Sequence, residues 1–204
     1  MSLAYAPAQA RPALSALWRL DEQLGAAIVR TETPAVAQMR LVWWHDALKT
    51  LRTSRPVDPI LVALADTRAI DPAALLPLID GWERLLEPLP LDAETLSAYA
   101  GERGGTLFRV AAGLMGQAPA ASADAAGRAW ALIDLAFRVT DRVTAERAIA
   151  LARAIAIPLA ALPRPLAILT ALARRDLKRG LDRPRRQGSP ARVARALVAG
   201  LTGL

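Results

Sequence analysis

The stretch that decides the fold runs from Gly127 to Val143, G-R-A-W-A-L-I-D-L-A-F-R-V-T-D-R-V. At the helical period Trp130, Ile133 and Phe137 form one apolar face, and Asp134 and Asp141 fall on the same stripe. Arg138 stands one turn from each acid, with Arg142 just beyond. A carboxylate inside an apolar stripe must be paired, metal-bound, protonated or turned toward a wet cavity, because an isolated buried charge is expensive. The segment Ala13 to Arg30 repeats the pattern. Leu14, Leu17, Trp18, Leu24 and Ile28 share a face that has Asp21 in its middle and Glu22 at its margin. Two helices that each aim a carboxylate inward predict a polar pocket in a helical core. A structural ion pair for each acid accounts for the same pattern.

Outward from these two stretches, helix starts are marked by a capping residue followed by proline at Thr33-Pro34, Asp58-Pro59, Asp71-Pro72 and Ser189-Pro190. No stretch sustains the two-residue alternation of a strand. The sequence predicts an all-α single domain, with helices near 12–30, 34–53, 58–67, 72–87, 92–115, 122–142, 144–157, 163–180 and 189–202. Residues 1–11 are expected to be a disordered tail, and 12–204 the helical domain. On the second helix Met39, Val42 and Trp43 share one face, with Trp44 off it against a neighbour. His45 reads as a surface side chain.

Composition excludes several kinds of chemistry. The 204 residues hold no cysteine and one histidine, so disulfides, thiolate catalysis and any site needing two histidines are out. Lysine occurs only at 49 and 178, so the net charge of +7 is carried by arginine. No secretory signal pattern is visible, and the most apolar run, 154–173, is broken by Pro158, Pro163 and Pro165. A cytoplasmic location is expected. The basic cluster within residues 174–186 leaves open contact with a membrane surface, against the simpler reading of a solvated helix end. It lacks the interleaved aromatics of a nucleic-acid binder, and no specific nucleic acid is expected. Glycines 101, 104, 105, 113 and 116 each cost on the order of 1 kcal/mol in a helix. Such a run marks a kink, a close helix approach or a backbone lining a cavity. No strand precedes it, and no phosphate-loop pattern is present.

The ordered set of motifs resembles the squalene/phytoene synthase family. It comprises L-x-x-L-D (Leu17 to Asp21), R-L-x-W-W-x-D-A-L (Arg40 to Leu48), D-P-I-L-V-A-L-A-D-T (Asp58 to Thr67) and D-G-W-E-R-L-L (Asp80 to Leu86). L-x-x-Y-A-x-x-x-G-G (Leu96 to Gly105) and the Gly127–Arg138 helix complete it. The resemblance implies a shortened isoprenoid-synthase-like helical bundle around an isoprenoid cavity, which Tyr99, Gly101, Gly104 and Gly105 would line. It also implies Mg²⁺-dependent head-to-head condensation of prenyl diphosphates, with two Asp-rich motifs holding the metal. Here those motifs are degraded. The first retains Asp21-Glu22, with Leu24 and Gly25 where the third acid would be. The second corresponds loosely to Ala131 to Arg142 and keeps Asp134 and Asp141, leaving Asp21, Asp134 and Asp141 as the candidate metal ligands.

The family has non-catalytic relatives, among them mitochondrial proteins linked to respiratory complex I assembly, and R-L-x-W-W-x-D-A-L resembles that branch. The leading expectation is a degenerate synthase-like pseudoenzyme that binds an isoprenoid or a partner protein, with a cofactor either absent or unknown and Mg²⁺ only if the chain is an enzyme. The candidate pocket is Asp21, Glu22, Asp134, Arg138, Asp141 and Arg142. The alternatives are an active Mg²⁺-dependent prenyltransferase acting on prenyl diphosphates and a basic helical binder of nucleic acid or membrane surfaces.

Overall fold

Carboxylates that close the first turn of a helix set much of the chain's punctuation. Asp58 accepts hydrogen bonds from the backbone of Ile60 (2.8 Å) and Leu61 (3.3 Å), and Asp71 accepts from Ala73 (3.3 Å). Asp92 caps with Thr95 N–H at 2.8 Å. Each satisfies backbone donors that have no partner within their own helix.

The computed structural model describes residues 2–29, 33–116, 121–156, 162–183, 185 and 188–202. Its α-helices are α1 (Arg11–Val29), α2 (Pro34–Thr50), α3 (Pro59–Thr67), α4 (Leu76–Glu83), α5 (Ala93–Tyr99), α6 (Thr106–Leu114), α7 (Ala121–Ala136), α8 (Arg142–Ala154), α9 (Arg164–Arg179) and α10 (Pro190–Thr202). No strand occurs among the described residues. The all-α class expected from the sequence is the observed one.

The central core joins Leu14, Leu17, Leu20 and Leu24 of α1 to Leu78 and Trp82 of α4 and to Leu107 and Phe108 of α6. A second cluster joins Leu96 and Tyr99 to Ile133 of α7 and Ile149 of α8. Trp18, Phe108 and Trp130 meet ring to ring between them, with centroids 5.5 to 6.5 Å apart.

The structure corrects several boundaries and faces. The expected tail contains two 3₁₀ turns, Ser2–Tyr5 and Ala8–Ala10, which bury Ala6 and Ala10. The ring of Tyr5 lies against Gly200. The helix expected over 72–87 is a 3₁₀ turn (Pro72–Leu75), α4, and a second 3₁₀ turn (Arg84–Leu86). On α2 the buried face is Ala37, Leu41, Trp44 and Leu48, a four-three-four spacing, while Met39, Val42 and Trp43 point outward.

The helix expected over 92–115 is split by a π-helical segment, Ala100–Gly105. Within it Gly104 meets Gly127 of α7 backbone to backbone; a Cβ on either would overlap the other's carbonyl oxygen. The missing side chains let α7 approach the main chain.

Candidate functional site

Five elements deliver polar groups to one interior point. On α1, Asp21 follows Leu17 and Leu20 down the buried stripe, and on α7, Asp134 sits among Ile133, Leu135 and Leu132. Both carboxylates are almost fully buried. Between them stands Arg103 of the π-helical segment, only 2% exposed.

The Arg103 guanidinium grips Asp21 at both oxygens, Nε to Oδ1 and Nη2 to Oδ2, each at 2.9 Å. Nη1 and Nη2 also donate to Asp134 Oδ2 at 3.3 and 3.4 Å, and Nη1 donates to the Tyr99 hydroxyl at 2.5 Å. All five N–H donors of the fork are thereby used. The Trp82 indole adds a hydrogen bond to Asp21 Oδ1 at 2.9 Å. The cation lies 4.1 Å from the centre of the Trp82 ring and 4.8 Å from that of Trp130, so two indoles flank it.

The network continues toward the C-terminal helices. Asp134 also takes Arg138 Nε at 3.0 Å and Arg185 Nη1 at 2.8 Å. Arg185 Nε lies 3.1 Å from Asp176 of α9, whose carboxylate is held by Arg192 of α10 at 2.6 Å. Alternating charges thus run Asp21, Arg103, Asp134, Arg185, Asp176, Arg192 through the interior.

Burial alone would raise the carboxyl of Asp134, but Arg103, Arg138 and Arg185 outweigh it and hold the pKa below the ordinary value. Burial likewise works against the Arg103 cation, yet Asp21, Tyr99 and Asp134 push its pKa well above the usual arginine value. Burial drives the Tyr99 hydroxyl up to about 12.

One face of this centre opens on a cavity of about 580 Å³. Ile28, Trp82, Leu85, Leu91, Leu135 and Val139 supply its apolar wall, and Asp21, Arg103 and Tyr99 its polar wall. The exposed Glu22 and Arg138 also line it. A second cleft, of about 590 Å³, lies by Gln38 and 83–88. It is acidic, and Asp80 in its wall has a raised pKa from burial and then from Glu102.

Not every candidate reaches the site. Asp21 and Asp134 converge on one guanidinium, with Arg138 beside Asp134. Asp141 does not join them: α7 ends at Ala136, the phase of the stripe is lost, and Asp141 caps α8 through Thr144 N–H at 2.7 Å. Arg142 is exposed, paired with Glu146 at 2.7 Å and Asp182 at 3.0 Å. Tyr99 lines the cavity beside Arg103. Gly101 instead faces Arg128, Gly104 is sealed against Gly127, and Gly105 faces Asp124.

Sequence reasoning missed Arg103, Trp82, Arg185, Asp176 and Arg192. For Arg103 the signal was present. It stands in the stripe Leu96, Tyr99, Arg103, Leu107, so the reasoning that singled out the buried acids applies equally to this cation.

A search of curated proteins and one of solved structures find no match to the chain. A family model described as squalene/phytoene synthase matches residues 1–155, which hold α1 to α8 and with them Asp21, Arg103 and Asp134. The helical architecture and this match over most of the sequence agree with the motif order, and the chain belongs to the squalene/phytoene synthase family.

Proposed function

We propose that the chain is a degenerate member of its family that holds an isoprenoid in the cavity beside Asp21, Tyr99 and Arg103 without condensing prenyl diphosphates. The observation that carries this reading is the Arg103 fork. It uses both oxygens of Asp21 and reaches Asp134, so the carboxylates of the two degraded motifs already share a cation.

The donor set does not fit Mg²⁺. Magnesium takes octahedral oxygen ligands, among them at least a carboxylate or two free to coordinate it, and the oxygens of Asp21 and Asp134 are already engaged by guanidinium groups. Here a dication near Asp21 would also stand against a fixed guanidinium. Among the described residues no group of three or more His, Asp or Glu side chains is placed to hold a metal ion. The apolar wall suits an isoprenoid chain, and Arg138 at the rim can take an anionic head group by a charge-assisted hydrogen bond.

The test pairs turnover with binding. The purified chain, given Mg²⁺ and farnesyl or geranylgeranyl diphosphate, releases no diphosphate. In the presence of a chelator, a long-chain isoprenoid at a hundred times its Kd adds about 2.7 kcal/mol of stability. Mg²⁺-dependent turnover that Asp21→Asn abolishes would establish an active prenyltransferase instead. No stabilisation by any isoprenoid would leave a partner protein as the object of binding.

A further inference from the structure

The outer face of α10 is unusual for a helix in contact with water. Its outward positions include Pro190, Val193, Ala194, Leu197, Val198 and Leu201, all within one broad stripe and none of them charged. Val193 is 39%, Leu197 45%, Val198 48% and Leu201 70% exposed. The helix contains no acidic residue at all.

Beside the start of this stripe lies a basic rim. The Arg192–Asp176 contact fixes the first turn of α10 against the last turns of α9. There Arg175, Arg179 and Arg183 line one small cleft together with the ion-paired Asp176, with Lys178 exposed next to them. Arg185 and Arg192 spend their charge on Asp134 and Asp176. Among the described residues no acidic side chain pairs with Lys178, Arg179 or Arg183. Residues 164–202 hold ten Lys or Arg against two Asp, so the net charge of +7 resides in this segment and the rest of the chain is close to neutral. A general taste for arginine does not explain that partition.

We propose that α10 and the end of α9 form a docking surface for an anionic phospholipid bilayer, with the α10 stripe lying in the interface and Lys178, Arg179 and Arg183 against the head groups. Charge complementarity selects this occupant. A second copy meeting the same face would bring two basic rims together. A nucleic acid would satisfy the rim but leave the uncharged stripe in water. No helix among the described residues is long and apolar enough to cross a membrane, so the contact is one of lying on the surface. The inference is independent of the cavity and of what fills it.

Co-sedimentation of the full chain with vesicles tests it. Affinity for phosphatidylcholine vesicles containing phosphatidylglycerol should exceed that for phosphatidylcholine alone by about tenfold or more, and fall with added salt. Arg179→Glu with Arg183→Glu should erase that preference. Leu197→Glu with Leu201→Glu should abolish binding to both vesicles while leaving the helical circular dichroism unchanged, since these side chains are exposed. Free inorganic phosphate should not displace the bound protein beyond its ionic-strength effect. Three outcomes would overturn the proposal. They are vesicle binding unaffected by the leucine changes, no vesicle binding at low salt, and a dimer in light scattering that Leu197→Glu dissolves while vesicles bind nothing.

Discussion

Arg103 joins two buried carboxylates; without it Asp21 keeps only the Trp82 indole, while Asp134 keeps Arg138 and Arg185. Truncating it to Met should cost roughly 3–5 kcal/mol at neutral pH, because it leaves Asp21 and Asp134 buried and underpaired. The loss should shrink toward acid pH as Asp134 protonates, and Arg103→Lys, with three donors on a flexible stem, should fall between. Denaturant titrations across pH check both statements. Asp134 gives the same direction in the native protein. Its folded pKa lies below the unfolded value, so its contribution is fully present above the unfolded pKa and is lost as pH falls through the folded one. The stability gap between the native protein and Asp134→Asn should therefore narrow below about pH 4. Tyr99 acts at the alkaline end. Its hydroxyl is pushed up to about 12, so folding favours the neutral form, and the associated stability is present below the unfolded pKa, near 10, and lost as pH rises toward 12. Tyr99→Phe should remove that alkaline loss in the same titrations.

At the scale of elements, the close pass of the π-helical segment over α7 sets the position of Arg103. Gly104→Ala or Gly127→Ala should destabilise by about 3 kcal/mol or more, because the new Cβ meets main chain that cannot rotate away. Gly113→Ala, with nothing within 4 Å of the new methyl, should stabilise by about 0.5–1 kcal/mol. Thermal unfolding of the three variants separates packing glycines from incidental ones. The same passage shows what a sequence can disclose. Asp58-Pro59 and Asp71-Pro72 announce helical starts because capping is local chemistry, settled within four residues. The π-helical segment is not local. It depends on α7 reaching the backbone of Gly104, which no window around Gly104 contains. Asp141 misled for a related reason. Its phase on the stripe holds only if the helix continues, whereas its own carboxylate begins the next one.

For the molecule as a whole, the ion-pair chain from Asp21 to Arg192 links the family-matched helices to α9 and α10, which lie beyond the matched residues. Two of its carboxylates were legible as buried acids in apolar stripes. The long-range partners Arg185 and Arg192 were not, since arginines in a basic C-terminal stretch look solvated until the chain folds back. A tethered guanidinium, that of Arg103, stands between Asp21 and Asp134, and the proposed function has it there in place of a divalent cation. Manganese is the paramagnetic substitute for magnesium, and its loss of free-ion resonance on binding can be titrated directly. With the native chain and a non-hydrolysable prenyl diphosphate analogue, no more manganese should be bound than with the analogue alone. Stoichiometric manganese held by the native chain and released by Asp21→Asn would contradict the proposed function.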